Sequence, residues 1–176
     1  MKLNIKEITK AMAPKFWIYD PEQIEQTIDY VDLSNYTDDE YAVKIKSIRK
    51  NQPSAELFDS FESAIDNLRT IDFIKNFDTT TITYYMEYLT NAIRHRIPVY
   101  VIRERKGSPI TDYYVDKSYI NMIKYTLLNG GKWRLRTESV DKYIVTTHNA
   151  SSLGLTIFFD ERNAQARLAR LKGGLN

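Results

Sequence analysis

Two histidines, His95 and His148, are the only imidazole side chains in the sequence, so they are the first candidates for acid–base or metal chemistry. His95 lies between Arg94 and Arg96, whose positive charges oppose its protonation and repel a metal ion, so a solvated helix end is expected there. His148 lies in a polar turn between strand candidates, residues 146–152, which has two serines but no Gly-x-Ser-x-Gly elbow. Because cysteine is also absent, thiolate zinc sites and cysteine nucleophiles are excluded. We therefore predict no catalytic residue, no metal ion and no cofactor.

A second pattern places Glu104 and Lys106 at the end of an apolar strand candidate, residues 99–102. It resembles the Glu-x-Lys end of metal-dependent nuclease folds, in which the carboxylate holds Mg²⁺ and the lysine orients water or steadies the phosphate. That chemistry needs a second acid on a neighbouring strand, and Asp112 and Asp116 lie on the other arm of the expected hairpin. An Mg²⁺-dependent nuclease is therefore one alternative function, and an exposed charged hairpin end is the simpler interpretation.

Basic side chains are concentrated on one strand face and on the C-terminal segment. The stretch 132–136 alternates cations with Trp133 and Leu135, so one face of this strand should be basic and the other apolar. The C-terminal cations could track nucleic-acid phosphates or reach an acidic helix of a neighbouring subunit. The candidate subunit or partner contacts are Arg134, Arg136, Arg162, Arg167, Arg170, Lys172, Asp38, Asp39 and Glu40.

Charge is divided along the chain, although its formal net charge is only +2. Residues 20–72 carry 13 acidic and 5 basic side chains, whereas residues 94–176 carry 7 acidic and 15 basic ones. Segments of opposite charge favour contact between unlike surfaces, within one chain or between copies of it. The 13 tyrosines would suit the cores of such contacts.

The elements expected to position these residues begin with a helical first half. A short helix is expected over residues 3–12, and a second from Asp20-Pro21 with Ile24, Ile28 and Val31 facing inward. Thr37 and Glu40 form a capping-box pattern for a third helix with Tyr41, Ile45 and Ile48 on one face. Further helical patterns start at Pro53-Ser54, running to about Phe77, and at residue 82, running to about Arg96.

The second half mixes strands with helices. A hairpin is expected over residues 99–115, with its turn at 106–109, followed by a helix over 118–129 that Gly130-Gly131 ends. Strands are expected at 133–137, 142–147 and 153–159, and a short basic helix at 161–171. The predicted fold is α+β, with a helical N-terminal half packed on a small, mostly antiparallel sheet and a basic C-terminal helix.

Length and composition indicate one folded domain over residues 1–176. Its parts are an acidic helical half (1–96), an α+β half (97–160) and a basic C-terminal helix or tail (161–176). Hydrophobic residues make up 43% of the chain, which is too much for a disordered protein. The N-terminal stretch lacks the apolar run of a signal peptide and no 18 apolar residues run together, so a cytoplasmic protein without membrane contact is expected.

In length and overall sequence character the chain resembles the structural proteins of T-even-type contractile-tailed bacteriophages, and it is most similar to their tail-tube terminators. The resemblance covers the whole chain and has no diagnostic motif. It implies a homo-oligomeric ring, a hexamer in that family, which caps the finished tail tube and stops its growth. It also implies contacts with the tail-tube protein and with a neck or sheath-terminator protein, and passage of or contact with DNA. The location it implies is the host cytoplasm during assembly and then the virion tail.

The chain departs from this family in its predicted helical first half, because many tube-terminating proteins are small sheets with few flanking helices. Two alternatives therefore remain open beside the structural protein. One is an early phage effector that binds nucleic acid or host transcription machinery through the basic strand and tail. The other is the Mg²⁺-dependent nuclease.

Overall fold

The structure is a computed structural model that describes residues 1–68, 80–105, 107, 112–127, 132–141 and 143–174. These residues contain nine strands: β1 (Lys2–Leu3), β2 (Lys15–Tyr19), β3 (Thr27–Asp32), β4 (Glu56–Phe58), β5 (Pro98–Glu104), β6 (Tyr113–Thr126), β7 (Lys132–Ser139), β8 (Val145–Asn149) and β9 (Ile157–Phe158). They also contain four helices: α1 (Asp38–Asn51), α2 (Phe61–Leu68), α3 (Thr80–Arg94) and α4 (Glu161–Gly173). None of the helices in this part of the chain has the length and apolar character needed to cross a membrane.

The chain divides into two compact units. Unit 1 consists of Met1–Met86 and Met122–Arg134, and unit 2 of Glu87–Asn121 and Leu135–Asn176. The strands β6 and β7 each contribute residues to both units. The single domain expected from the sequence stays a prediction.

Unit 1 is built on the strand order β1-β4-β2-β3, with the end of β6 paired to β3. The central strand β2 is antiparallel to both of its neighbours and is buried on both faces. Phe16 and Ile18 pack in one core with α1, while Trp17, on the other face, contacts Phe61 of α2. The sheet of unit 1 is therefore covered by a helix on each side, which explains the continuous apolar run of β2.

An aromatic cluster fills the α2 side of unit 1. Phe61 lies with its ring centroid 4.5 Å from Trp133 and 5.6 Å from Tyr125, and Trp17 lies 6.0 Å from Trp133. Tilted and edge-to-face arrangements of this kind add to the stabilisation from area burial. Burial raises the pKa of Tyr125 to about 12.

Unit 2 contains the start of β6, which is paired with β5, and β9 on the other side of β5. The strand β7 pairs with β6 and in turn with β8. The helix α4 packs against β5 and β9 and is anchored by the buried Ala164. Asp160 caps this helix by accepting a hydrogen bond from the Asn163 amide at 3.0 Å.

The expectation of a helical N-terminal half on a small sheet is wrong. Four strands lie within the first 58 residues, and the fold as a whole is rich in sheet. Residues 3–12 form the end of β1 and turns. The segment from Pro53 enters β4 before α2 begins at Phe61, and residues 69–77 lie outside the described part of the chain.

The expected helix from Asp20 is a tight turn between β2 and β3. The Asp20 carboxylate accepts from the Glu22 amide at 3.1 Å, which resembles a helix cap but closes a turn. Gln26, with φ of 48°, then reverses the chain into β3. Ile24, expected to face inward, is 94% exposed at the tip.

The expected helix over 118–129 is also wrong, because this stretch belongs to β6 as far as Thr126. Buried positions are even-numbered through Ile120 and odd-numbered from Ile123 onward. The change of phase puts two buried isoleucines three residues apart, which imitates a helical spacing. The glycine pair expected to end this helix lies outside the described residues.

The predictions from strong local signals are confirmed. Thr37 and Glu40 form the expected capping box at the start of α1, and Tyr41, Ile45 and Ile48 are its buried face. The helix α3 ends at Arg94, close to the predicted end, and the sequence also predicts strands where β5, β7, β8 and β9 lie. The helix α4 occupies the stretch for which the sequence predicts a basic C-terminal helix.

Candidate functional site

The three acids proposed as contacts lie at the first turn of α1 in unit 1. Asp38, Asp39 and Glu40 are all exposed. Glu40 accepts from the Thr37 amide at 2.7 Å, and this hydrogen bond lowers the pKa of its carboxyl. Because Glu40 is engaged in capping, Asp38 and Asp39 are the carboxylates of this turn that are free of a capping role.

The basic face predicted for β7 is present. Lys132, Arg134 and Arg136 are exposed, while Trp133 and Leu135 are buried. Arg134 belongs to unit 1 and Arg136 to unit 2. Arg136 donates from Nε to Asn121 Oδ1 at 2.8 Å, which fixes its guanidinium on the sheet surface.

The cations of α4 in unit 2 differ in their availability. Arg162 and Arg170 are exposed, whereas Arg167 is half-buried and its Nε has no hydrogen-bond partner in the described structure. Lys172 lies 3.2 Å from a carboxylate oxygen of Asp112. The side chains on this helix that are best placed to meet a partner are therefore Arg162 and Arg170.

The acids considered for a nuclease site are separated by their contacts. Glu104 is exposed at the end of β5, while Asp116 is buried against Arg103. Asp112 is paired with Arg105 at 3.5 Å as well as with Lys172. Lys106 lies outside the described residues. Within the described residues no group of three or more histidine or acidic side chains is arranged to hold a metal ion.

Unit 2 contains a buried polar network that is not among the predicted sites. Arg103, on β5, is 9% exposed, and its Nε donates to Asp116 Oδ2 at 2.6 Å. Its two terminal nitrogens donate to the hydroxyl oxygens of Thr146 at 2.6 Å and Ser118 at 3.2 Å. The second oxygen of Asp116 accepts from Ser139 at 2.9 Å. One arginine thereby links β5, β6, β7 and β8.

His148 completes the network on β8, rather than lying in the turn predicted for it. Its Nε2 is 2.8 Å from the hydroxyl of Thr137, a distance typical of a nucleophile and its base. Burial, and then the nearby charge of Arg103, lower the pKa of His148. Thr137, however, is fully buried, so its hydroxyl is out of reach of a substrate. The arrangement is suited to fixing four strands and not to nucleophilic catalysis.

A cleft of about 950 Å³ opens beside this network, between the end of β5 and β8. Its walls include Arg103, Arg105, Tyr114 and His148. Four of the five Arg103 donor hydrogens are directed at Asp116 and at hydroxyl groups of the protein. The guanidinium therefore acts mainly as an internal cross-link.

A sequence signal for the network exists in β5. Val99, Val101 and Arg103 alternate, so a strand here places the arginine on the same face as two buried valines. A buried arginine needs an acidic partner. On β6, Asp116, Ser118 and Ile120 follow at the same two-residue spacing, so a strand there places the acid on one face with the buried isoleucine. The pairing of Val101 with Asp116 across the two strands brings these charges together.

Comparisons with known proteins found no matching family model, no similar curated protein and no matching solved structure.

Proposed function

We propose that this chain is a structural assembly protein of a contractile-tailed phage virion, which forms a homo-oligomeric ring, caps the tail tube and connects it to the neck. One observation carries the assembly function: the first turn of α1 in unit 1 exposes acids, and α4 in unit 2 exposes cations. Unit 1 exposes Asp38 and Asp39, and unit 2 exposes Arg162 and Arg170. Two different, complementary patches on one subunit are what a head-to-tail ring requires.

The tail-tube part of the proposal rests on the sequence resemblance, and the fold supports it in one respect. The helical first half was the feature by which the chain departed from tube-terminating proteins. Strands β1–β4 replace much of that helix, so the departure is smaller than the sequence suggested. Arg136 and Lys172, which are held by Asn121 and Asp112, are less suited to the ring contact than Arg162 and Arg170, whose side chains have no such partner among the described residues.

The first test is the solution mass of the purified chain by light scattering, at low salt and again near about 0.5 M salt, where charge attraction is strongly screened. We expect a discrete multiple of the 20.6 kDa subunit at low salt and a smaller mean mass at high salt. A monomer under both conditions, also when tail tubes are added, would overturn the proposal.

Charge reversal identifies the contact. Asp39→Lys and Arg170→Glu should each weaken association, and the chain with both changes should recover part of it, because attraction is restored with the signs exchanged. Glu62→Lys is the matched control, since Glu62 is an exposed acid in the first turn of the other unit 1 helix, α2. Equal effects of Asp39→Lys and Glu62→Lys would contradict the assignment of this surface.

The capping function needs its own assay. Purified tail-tube protein of a T-even-type phage should polymerise to a shorter mean length when the chain is present, and electron microscopy should show one cap per tube end. Tubes of unchanged length would exclude tube termination even if the chain forms rings.

Nucleic-acid binding is a second candidate function, favoured by the exposed cations of β7. Lys132, Arg134 and Arg136 lie at the two-residue spacing of one strand face. Arg134→Glu should weaken DNA binding in a gel-shift titration and reduce its salt dependence, while Glu62→Lys should not. DNA binding that is absent at low salt would remove this candidate.

A further inference from the structure

The surface of unit 1 contains an apolar groove with a basic rim, although the unit is otherwise rich in acids. The groove has a volume of about 810 Å³ and lies between the N-terminal segment 5–11 and α1. Its floor is apolar and includes Ile5, Ile8 and Ile45, which also pack on the core of the unit. Five basic side chains form its basic rim, Lys6, Lys10, Lys46, Arg49 and Lys50, and one acid, Asp38, also lines the groove.

The same unit presents an apolar side chain on an acidic turn. Ile24 is 94% exposed and lies between Glu22 and Glu25 in the turn that joins β2 to β3. The Gln26 side chain donates a hydrogen bond across this turn to the carbonyl of Pro21 at 3.1 Å. Ile24 is the most exposed large apolar side chain in the described part of the chain, so a contact with another molecule would remove nearly its whole apolar surface from water.

We propose that the Ile24 turn of one copy of this chain inserts into the groove of a second copy. The partner's isoleucine would meet the floor of Ile5, Ile8 and Ile45, and the partner's acids would meet the basic rim. This contact is a second one beside the charge contact between α1 and α4 proposed above. Its assignment to a second copy of the chain rests on the assembly function proposed there.

A copy cannot fill its own groove. The Ile24 turn adjoins the side of α1 that carries Lys44, Ser47 and Asn51, while the groove adjoins the side that carries Ala42 and Ile45. At 100° per residue, these two sets point to roughly opposite sides of the helix. Two separate, complementary patches on one unit give head-to-tail contacts, which close into a ring when the rotation per subunit allows it.

Two substitutions test the contact from its two sides. Ile24→Glu removes the apolar tip, and Ala42→Glu places a negative charge at the groove, where it repels the acidic turn. Each should weaken self-association about 30-fold or more, because the contact loses the burial of a large apolar side chain or gains a charge repulsion. Val43→Glu is the matched control on the exposed side of α1, since Val43 does not line the groove. Circular dichroism spectra should be the same for all three variants.

Mixing the two variants gives the decisive result. Ile24→Glu retains an intact groove and Ala42→Glu retains an intact turn. In a 1:1 mixture, one chain of each kind can therefore form a single good contact, and the disrupted patches prevent the addition of further chains. When both variants also carry Asp39→Lys, which removes the charge contact between α1 and α4, sedimentation velocity should show two monomeric variants that combine into a heterodimer and nothing larger. A mixture that stays monomeric, or an Ile24→Glu variant that still assembles like the unmodified chain, would overturn the inference.

The outcome is separable from that of the tube-capping proposal. A heterodimer from chains that do not affect tail tubes would leave the contact in place and exclude tube termination. Tube capping by the Ile24→Glu variant would support tube termination and exclude the Ile24 contact.

Discussion

Replacing Asp116 by alanine should destabilise unit 2 by about 3 to 5 kcal/mol, because the Arg103 guanidinium would remain charged and buried without its counter-ion. The side chains of these two residues are 8% and 5% exposed, so water can do little to replace the lost partner. The carboxylate accepts hydrogen bonds from Arg103, Ser118 and Ser139 at 2.6, 3.0 and 2.9 Å. Each unpartnered buried donor costs about 1 to 3 kcal/mol, and the two hydroxyls can turn toward other acceptors. The arginine therefore accounts for most of the loss.

Asp112→Ala is the matched control within unit 2. Asp112 lies 3.5 Å from Arg105, but the side chains in this pair are 64% and 39% exposed. Solvent-exposed ion pairs contribute about 0 to 1 kcal/mol, so the same substitution should be nearly neutral at this position. A third variant, Arg103→Met with Asp116→Leu, removes both charges and should recover much of the stability lost in Asp116→Ala.

The assay is urea denaturation followed by two signals. Far-UV circular dichroism reports helices and strands of both units, whereas the fluorescence of Trp17 and Trp133 reports unit 1, which holds both tryptophans of the chain. If the units unfold separately, Asp116→Ala should lower the dichroism midpoint more than the fluorescence midpoint. Equal midpoints for Asp116→Ala and Asp112→Ala would refute the reasoning, because the buried charge pair would then be worth no more than an exposed one.

Three further perturbations follow from the described contacts. Thr37→Ala removes half of the capping box of α1 and should cost about 1 kcal/mol, measured as a lower urea midpoint with an unchanged slope. Phe61→Ala should cost about 3 to 5 kcal/mol and move the tryptophan emission to longer wavelength, because it removes a ring whose centroid lies 4.5 Å from that of Trp133 and leaves a cavity there; unchanged emission would contradict the packing. The pKa of His148 is lowered from its ordinary 6.5 in the folded chain, by burial and then by the Arg103 charge. The unfolded chain therefore binds more protons, so between about pH 7.5 and 5.5 the stability should fall more steeply for the unmodified chain than for His148→Gln; equal slopes would show that this imidazole does not contribute.

Sequence patterns predicted elements well where the signal is local. The α1 start was predictable because Thr37 and Glu40 satisfy each other's backbone within one turn. The same kind of signal at Asp20 was misleading, since a carboxylate that accepts a nearby amide closes a turn as readily as it caps a helix. The pairing of β2 with β3 decides between a turn and a helix at Asp20. This pairing depends on residues outside the local sequence pattern.

The buried network was hidden for a different reason. Arg103 and His148 are 45 residues apart in the sequence, and only the pairing of four strands brings them near one another. The sequence pattern suggests Asp116 only as a possible second acid of a nuclease site and places Ser118 at the start of a helix, so the two are not expected on one buried strand face. The groove residues Ile5 and Ile8 were assigned to a helix, and their contact with α1 depends on the turns that follow β1.

The alternation of buried and outward residues within β6 limits how this gene can vary in length. Ser118 and Ile120 face the interior at even positions, while Ile123 and Tyr125 do so at odd ones. Deleting or inserting one codon between Ser118 and Ile120, or between Ile123 and Tyr125, would exchange inside and outside for the residues on one side of the change. Natural variation in this strand is therefore expected to consist of substitutions, with insertions and deletions confined to the surrounding loops.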